Sequence, residues 1–280
     1  MTTRSDLSPT GTRQPRTRKK RLVVIGNGMA GVRTVEEILS RDGADLFDIT
    51  IFGNEPYGNY NRILLSNVLA GTDDFDGIFL NPLDWYTENN IDLRIGDPVV
   101  RIDRFARVVT TEGGTSMRYD RLIIATGSRS FFPPIDGMLT NGKPTRGVFG
   151  FRNRDDCSAM IDYAVGKGSG VVIGGGLLGL EAARGLQSRG LKVDVVHAAA
   201  TLMNMQLDVT AGTTLRRRVE EIGITVDTEK TTTQVRCPDG AVAGIVFSDG
   251  TEIDCDMLVV AAGIRPVSYT HLTLPTILLV

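Results

Sequence analysis

The chain has 280 residues, 31 Lys and Arg against 33 Asp and Glu, and a formal net charge of −2. That balance gives no electrostatic footprint for nucleic acid or an anionic membrane surface, and no apolar run is long enough for a transmembrane helix. Cys157, Cys237 and Cys255 are too few and too scattered for a disulfide scaffold, and no C-x-x-C redox pair exists. They read as reduced structural thiols of a cytoplasmic protein, and two histidines, His197 and His271, exclude a histidine-rich metal site.

Residues 1–20 are rich in Thr, Ser, Pro and Arg and offer little to bury, which predicts a disordered basic tail. No apolar signal-peptide core follows it. The apolar run from Arg21 to Ile25 then enters Gly26-Asn27-Gly28-Met29-Ala30-Gly31, and a helical pattern runs from Val32 to Ser40. Strand, G-x-G-x-x-G and helix in that order predict a dinucleotide-binding turn. Gly26 permits the tight turn, Gly28 lets backbone approach a pyrophosphate, and Gly31 lets the helix close on the strand. The helix N-terminus supplies free N–H groups to the phosphates, and Met29 and Ala30 of the loop are candidate cofactor-binding residues. Asp48–Phe52 is the second strand of this unit, and Glu55, just beyond it, is the candidate acceptor for adenosine ribose hydroxyls.

A helix is predicted from Asp84 into Glu88. The strands Ile91–Gly96, Val99-Val100 and Val108–Thr110 suggest a small meander. Tyr119–Ile124 is an apolar strand ending in Ala125-Thr126-Gly127, where Gly127 permits close backbone approach. Phe131–Gly137 is a proline-rich crossover, and Asn153 can cap a helix carrying Asp155 and Asp156 in its first turn.

The same device then recurs. Gly170–Ile173 runs into Gly174-Gly175-Gly176-Leu177-Leu178-Gly179, with a helical pattern behind it. Two such units, each after an apolar strand, strengthen the reading. The second strand of this unit is Leu191–His197. His197 stands where a ribose-gripping acid is common, so NADPH is not excluded, and His197→Glu is expected to penalise NADPH more than NADH. Arg189, Arg216, Arg217 and Arg218 are candidate phosphate partners or simply a solvated face. Leu202–Asp208 is read as opening the next helix, its methionines as packing. An apolar strand then ends in Ala261-Ala262-Gly263-Ile264-Arg265-Pro266, the counterpart of 125–127.

Two G-x-G-x-x-G units, with Asn59-Tyr60-Asn61-Arg62-Ile63-Leu64-Leu65-Ser66 after the first, resemble the pyridine nucleotide–disulfide oxidoreductase-like flavoproteins. Within that group, N-P-L-D-W-Y (81–86), G-F-R-N-R-D-D-C (150–157) and M-N-M-Q-L-D (203–208) resemble the amino-terminal flavin part of assimilatory NAD(P)H nitrite reductase large subunits. The resemblance implies an α/β fold of two Rossmann-like dinucleotide-binding units, the second inserted into the first. It divides the chain into an FAD unit (21–145), an NAD(P) unit (146–266) and a tail (267–280). It implies FAD in the first unit and NADH or NADPH in the second, with Arg62 at the FAD pyrophosphate, Ala125-Thr126-Gly127 against the FAD and Gly263 by the nicotinamide cofactor. It further implies that electrons from NAD(P)H pass through FAD to siroheme and a [4Fe–4S] cluster located downstream, with a small nitrite reductase subunit as a partner. Asn67 replaces the lysine common after the serine in ferredoxin reductases. A free-standing ferredoxin or rubredoxin reductase, donating to a small electron carrier, shares these motifs. A NADH-sensing flavoprotein without catalytic turnover is the alternative of a different class. No side chain is identified as a catalytic acid or base, and no metal site is expected. The string Ser268–Thr276 resembles translated sequencing-adapter read-through. This suggests a fragment lacking the return segment, with its flavin-binding aspartate, and the interface domain.

Overall fold

The computed structural model describes residues 18–267. The tail assigned to 1–20 lies almost wholly outside these residues, as does the tail assigned to 267–280. Two parallel sheets organise the chain. The first is built from β1 (Lys20–Ile25), β2 (Phe47–Phe52), β3 (Ile91–Arg94) and β7 (Arg121–Ile124), in the order β3-β2-β1-β7. Helices α1 (Met29–Leu39), the short α2 (Gly43–Leu46), α3 (Leu65–Ala70) and α4 (Leu83–Glu88) fall between these strands. A three-stranded antiparallel meander, β4 (Val99–Asp103), β5 (Val108–Thr111) and β6 (Ser116–Arg118), precedes β7. Four consecutive residues of β1, Leu22 to Ile25, are buried, as expected of a strand covered on both faces.

After β7 come β8 (Ser128–Ser130) and the hairpin β9 (Leu139–Thr140) and β10 (Lys143–Pro144). The second sheet takes β11 (Val148–Gly150), β12 (Ser169–Ile173), β13 (Lys192–His197), β14 (Thr225–Thr228) and β18 (Met257–Val260), in the order β11-β18-β12-β13-β14. Its helices are α5 (Arg154–Ala164), α6 (Leu177–Ser188) and α7 (Val209–Glu221). A second meander, β15 (Thr232–Arg236), β16 (Gly244–Phe247) and β17 (Glu252–Asp254), precedes β18, and β19 (Ile264–Pro266) follows it. β19 pairs antiparallel with β8, so the chain leaving each parallel sheet meets the other in one short ribbon.

The strands of the two sheets lie in separate cores, and α3 of the first unit packs into the core of the second. Leu65, Val68 and Leu69 of α3 are buried among residues of the second sheet and its helices. α3 seats in a notch on α6: a Cβ on Gly185 would lie 2.6 Å from Leu69 Cγ. Arg189, at the end of α6, donates to the carbonyls of Leu69 (2.5 Å) and Val68 (2.9 Å), capping α3 from the other unit. Cys157 and Cys255 are buried, all three thiols are free, and burial raises Cys157 and Cys255 to about 12. Among the described residues no helix is long and apolar enough to cross a membrane, and no cluster of His, Cys, Asp and Glu could hold a metal ion.

Three sequence expectations are corrected. Ile91–Arg94 is not part of the meander. It lies parallel to β2, with Ile49 opposite Ile91, and Gly96, at φ +70°, turns the chain away before β4. α1 begins at Met29, before the apolar periodicity starts, because Gly28 already ends the strand-side turn. Leu202–Leu207 is a series of turns rather than helix. Met203 has φ +49°, Asp208 caps α7 through the Ala211 N–H (2.8 Å), and Met205 is 83% exposed instead of packed.

Candidate functional site: two glycine loops and the cleft between the units

The two glycine loops are built alike. Gly26 and Gly174 have φ +118° and +125°, and a Cβ on either would strike the carbonyl just after the neighbouring parallel strand, Ala125 O at 2.1 Å and Ala261 O at 2.5 Å. A Cβ on Gly31 would lie 2.0 Å from Gly26 O, and one on Gly179 1.9 Å from Gly174 O, so both helices rest directly on their turns. The middle glycines differ: a Cβ on Gly28 or Gly176 would meet nothing within 4 Å. Packing therefore demands the outer glycines, while the space before the middle ones is open to a ligand.

The helix ends point to the same ligand chemistry. Among the described helices of more than ten residues, α5 and α7 have their first-turn N–H groups capped by Asn153 and Asp208. α1 and α6, preceded by Gly28 and Gly176 at the N-cap, have no side-chain cap and no acidic residue in the first turn. Uncapped N–H groups and the positive helix end are suited to a diphosphate. The first loop is held by Asn27, whose amide donates to Tyr57 O (3.2 Å) and whose carbonyl lies 2.9 Å from the buried Tyr86 hydroxyl.

A cleft of about 1230 Å³ opens beside this loop. Of the sequence-predicted residues, Gly26, Gly28, Met29, Ala30, Glu55, Arg62, Ala125, Thr126 and Gly127 line it. Gly31 is packed beneath them. Gly174, Gly176, Leu177, Leu178, Gly179 and His197 form the separate second loop, outside this cleft. Gly263 belongs to the ribbon, where its carbonyl accepts from Phe131 N–H at 3.0 Å.

Glu55 and Arg62, assigned separately to ribose and pyrophosphate, are ion-paired at 2.6 Å with side chains 20% and 25% exposed. The pair belongs to a ring linking the units. Tyr60 donates to Glu55 (2.5 Å) and accepts from Arg154 N–H (3.0 Å), while Arg62 donates to Arg152 O (2.9 Å). Burial raises the Tyr60 phenol well above its usual range, keeping it a neutral donor. Burial, with Arg62 nearby, lowers the Arg152 pKa from its usual value. Arg152 donates to Ser128 O (3.3 Å) and also lines the cleft, as do Arg129 and Arg265. Arg265 lies over the Phe131 ring at 4.2 Å and faces Arg129 across the ribbon. Sequence reading quoted Arg152 and Arg265 within motifs but assigned none of the three to the site; only the ribbon brings Arg129 and Arg265 together.

At the second loop, both His197 nitrogens are engaged. Nδ1 accepts from Gly175 N–H (3.1 Å), and Nε2 lies 3.1 Å from Asn204 Oδ1. The candidate phosphate arginines are occupied elsewhere: Arg189 on α3, Arg216 with Glu220, Thr228 and Val226 O, and Arg217 and Arg218 with Glu221.

A family profile described as pyridine nucleotide-disulphide oxidoreductase matches residues 20–276. The nitrite reductase [NAD(P)H] of Bacillus subtilis is 49% identical over 248 residues, covering 89% of this chain and 30% of that protein. The assimilatory nitrate reductase electron transfer subunit of the same organism is 44% identical, covering 89% of this chain and 31% of its own length. The crystal structure of a ferredoxin reductase for the CYP199A2 system of Rhodopseudomonas palustris superposes with a TM-score of 0.81 at 27% identity, covering 90% of this chain and 61% of that one. The chain thus spans about a third of the length of these two curated relatives. It belongs to the pyridine nucleotide-disulphide oxidoreductase family and has that family's α/β fold.

Proposed function

We propose that this family member is an electron-input module. It takes reducing equivalents from NADH or NADPH at the second loop and passes them, through FAD at the first, to nitrite-reducing centres elsewhere in its parent protein. The observation that carries the reading is the pair of uncapped helix ends behind Gly28 and Gly176, each with open space before its middle glycine. The names of the two Bacillus subtilis relatives support the nitrite side of it.

In this reading residues 21–145 and 146–266 serve as the FAD and NAD(P) units. Flavin, when bound, accepts a hydride and returns its electrons one at a time. The chain's own residues bind and orient. Met29 and Ala30 N–H groups meet the diphosphate, and Arg62 balances its charge. Ala125-Thr126-Gly127 bounds the cleft on the β7 side. Glu55 is the ribose acceptor, exchanging its tie to Tyr60 or Arg62 for a ribose hydroxyl. Gly263 stands on the nicotinamide side. The buried thiols take no part, since burial holds Cys157 and Cys255 as thiols. Siroheme, a [4Fe–4S] cluster and a small nitrite reductase subunit are the downstream partners, in the cytoplasm. A free-standing reductase serving a small carrier protein is the second reading, favoured by the likeness to the Rhodopseudomonas palustris ferredoxin reductase.

The test uses two valine substitutions that the fold tolerates, since both middle glycines have extended backbone and open space. Gly28→Val is expected to abolish FAD retention, and Gly176→Val to retain FAD but lose anaerobic bleaching by NADH. Gly28→Val should melt with FAD-stripped wild type, and Gly176→Val with FAD-loaded wild type. Normal FAD retention in Gly28→Val, or normal bleaching in Gly176→Val, would overturn the assignment of that loop. Transfer of electrons to nitrite within the parent protein, against transfer only to an added carrier, separates the two readings.

A further inference from the structure

The near-balanced net charge hides a local separation of charge on the first unit. β4 and β5 are joined by Arg104-Phe105-Ala106-Arg107. Asp103 Oδ1 accepts from Phe105 N–H (3.0 Å) and Ala106 N–H (2.8 Å), and Arg107 takes a left-handed φ of +52°. This fixed turn leaves Phe105 97% exposed, more than any other large apolar side chain among the described residues. Arg101, Arg104 and Arg107 flank it, and Arg118 lies opposite Val108 on β6; all four are exposed. Arg101 has Asp103 at 3.8 Å, while Arg104, Arg107 and Arg118 have no ion-pair partner among the described residues.

The tip belongs to a larger basic end of the molecule. Tyr119 N–H donates to Arg107 O and Asp120 N–H to Arg21 O, both at 2.9 Å, so the hairpin lies against the start of β1. Lys19 and Lys20 are exposed there. The carboxylates nearby are largely spent, Asp103 within the turn and Asp120 on Arg21; Asp48, opposite Arg21 on β2, is the exposed exception. Gly26 and Ala125, which border the cleft, follow the other ends of β1 and β7. At about 3.3 Å per strand residue, the sheet separates tip from cleft by about 15–20 Å. A partner on the tip therefore leaves the cleft open.

The shape selects the partner. Single-stranded nucleic acid is held along a groove by several stacked rings, and this surface is a convex tip with one. An acidic protein would need a pocket cut for that ring. A bilayer interface receives a lone protruding aromatic side chain without a pocket, and its anionic headgroups attract the cations around it. We propose that the β4–β5 tip docks on an anionic lipid bilayer, with Phe105 entering the interface and Arg101, Arg104, Arg107 and Arg118 meeting the headgroups. The chain lies on that surface and does not span it. The proposal is independent of the cofactor assignments.

The experiment is sedimentation of the full chain with vesicles of equal phosphatidylglycerol and phosphatidylcholine, or of phosphatidylcholine alone, at about 50 mM and about 500 mM salt. Wild type should bind the anionic vesicles, and the added salt should weaken binding by at least about tenfold. Arg104→Gln combined with Arg107→Gln should cost about 25-fold at low salt, about fivefold for each charge, and little at high salt. Phe105→Ser should cost about tenfold at either salt, because burial of an apolar ring is not screened. A site-specific readout comes from Phe105→Trp, Trp85 being the chain's one native tryptophan. Its emission should shift to the blue on anionic vesicles and stay unchanged with phosphatidylcholine alone, with wild type supplying the Trp85 background. No binding by wild type, equal binding to phosphatidylcholine alone, or anionic binding that survives the Arg and Phe105 substitutions would overturn the proposal. Binding of a single-stranded oligonucleotide or of polyglutamate that depends on Phe105, with none to vesicles, would overturn it in favour of that other partner.

Discussion

The Glu55–Arg62 pair offers a quantitative test of how the units are joined. The charges approach to 2.6 Å with side chains 20% and 25% exposed. At the effective dielectric of a protein surface, two unit charges about 4 Å apart attract by about 4 kcal/mol before desolvation. Holding both groups away from water offsets about half of this, leaving a coupling of about 2 kcal/mol. The perturbation is a cycle of Glu55→Gln, Arg62→Gln and the double variant. Glutamine at 55 keeps an acceptor for Tyr60, so the cycle isolates charge pairing from the loss of the phenol's partner. Urea unfolding followed by far-ultraviolet circular dichroism gives each stability. The single variants should each lose about 2 kcal/mol, and the double variant should lose much less than their sum. A coupling below about 0.5 kcal/mol, the range of exposed surface pairs, would refute the view that this pair helps fasten the units.

Three further outcomes are expected. Arg189→Ala removes both donors from the Val68 and Leu69 carbonyls, and should cost about 1–3 kcal/mol in urea unfolding; no loss would mean that water caps α3 equally well. Asp120 accepts from the Arg21 side chain and backbone N–H, which holds its carboxyl down at about 2. Its stabilisation is therefore fully present above the unfolded value near 4 and lost as pH falls through 2, so Asp120→Asn should be less stable than wild type at pH 7, with the gap shrinking between about pH 4 and pH 1; a gap that stays constant over that range would contradict this. With Cys157 and Cys255 raised to about 12 by burial, the folded protein at pH 8 should label at most the half-exposed Cys237 with a thiol reagent, and the other two only after denaturation.

Much of this molecule was legible in the order of its residues. The two glycine loops declare themselves because each of their parts is local: apolar strand, turn and helix follow within about twenty residues. The Asn153 cap with Asp156 is equally local, and the structure has the full reciprocal box. Val99, Val108 and their neighbours were rightly read as short strands, yet Ile91–Arg94 was given to the wrong sheet. A four-residue apolar strand has no periodicity that could tell a meander from an edge of a parallel sheet, and only its register against β2 decides. The helix start placed at Leu202 failed for a related reason. Met203 and Met205 favour helix by composition, but the Met203 N–H bond to Gly175 pulls the segment into turns.

What only the tertiary structure decided is the choice of partners. The 31 basic residues could pair with the 33 acidic ones in very many ways. Arg189 meets a helix end 120 residues away, Arg62 donates to a carbonyl 90 residues on, and His197 turns inward to Gly175 instead of outward. Each of these bonds forms because the packed sheets bring the groups within 3.1 Å of one another, and separation along the chain carries no trace of that distance. The sequence therefore determined that two glycine loops of like build exist and which glycines shape them. The folded packing determined which groups pair with one another, because it alone sets their distances in space.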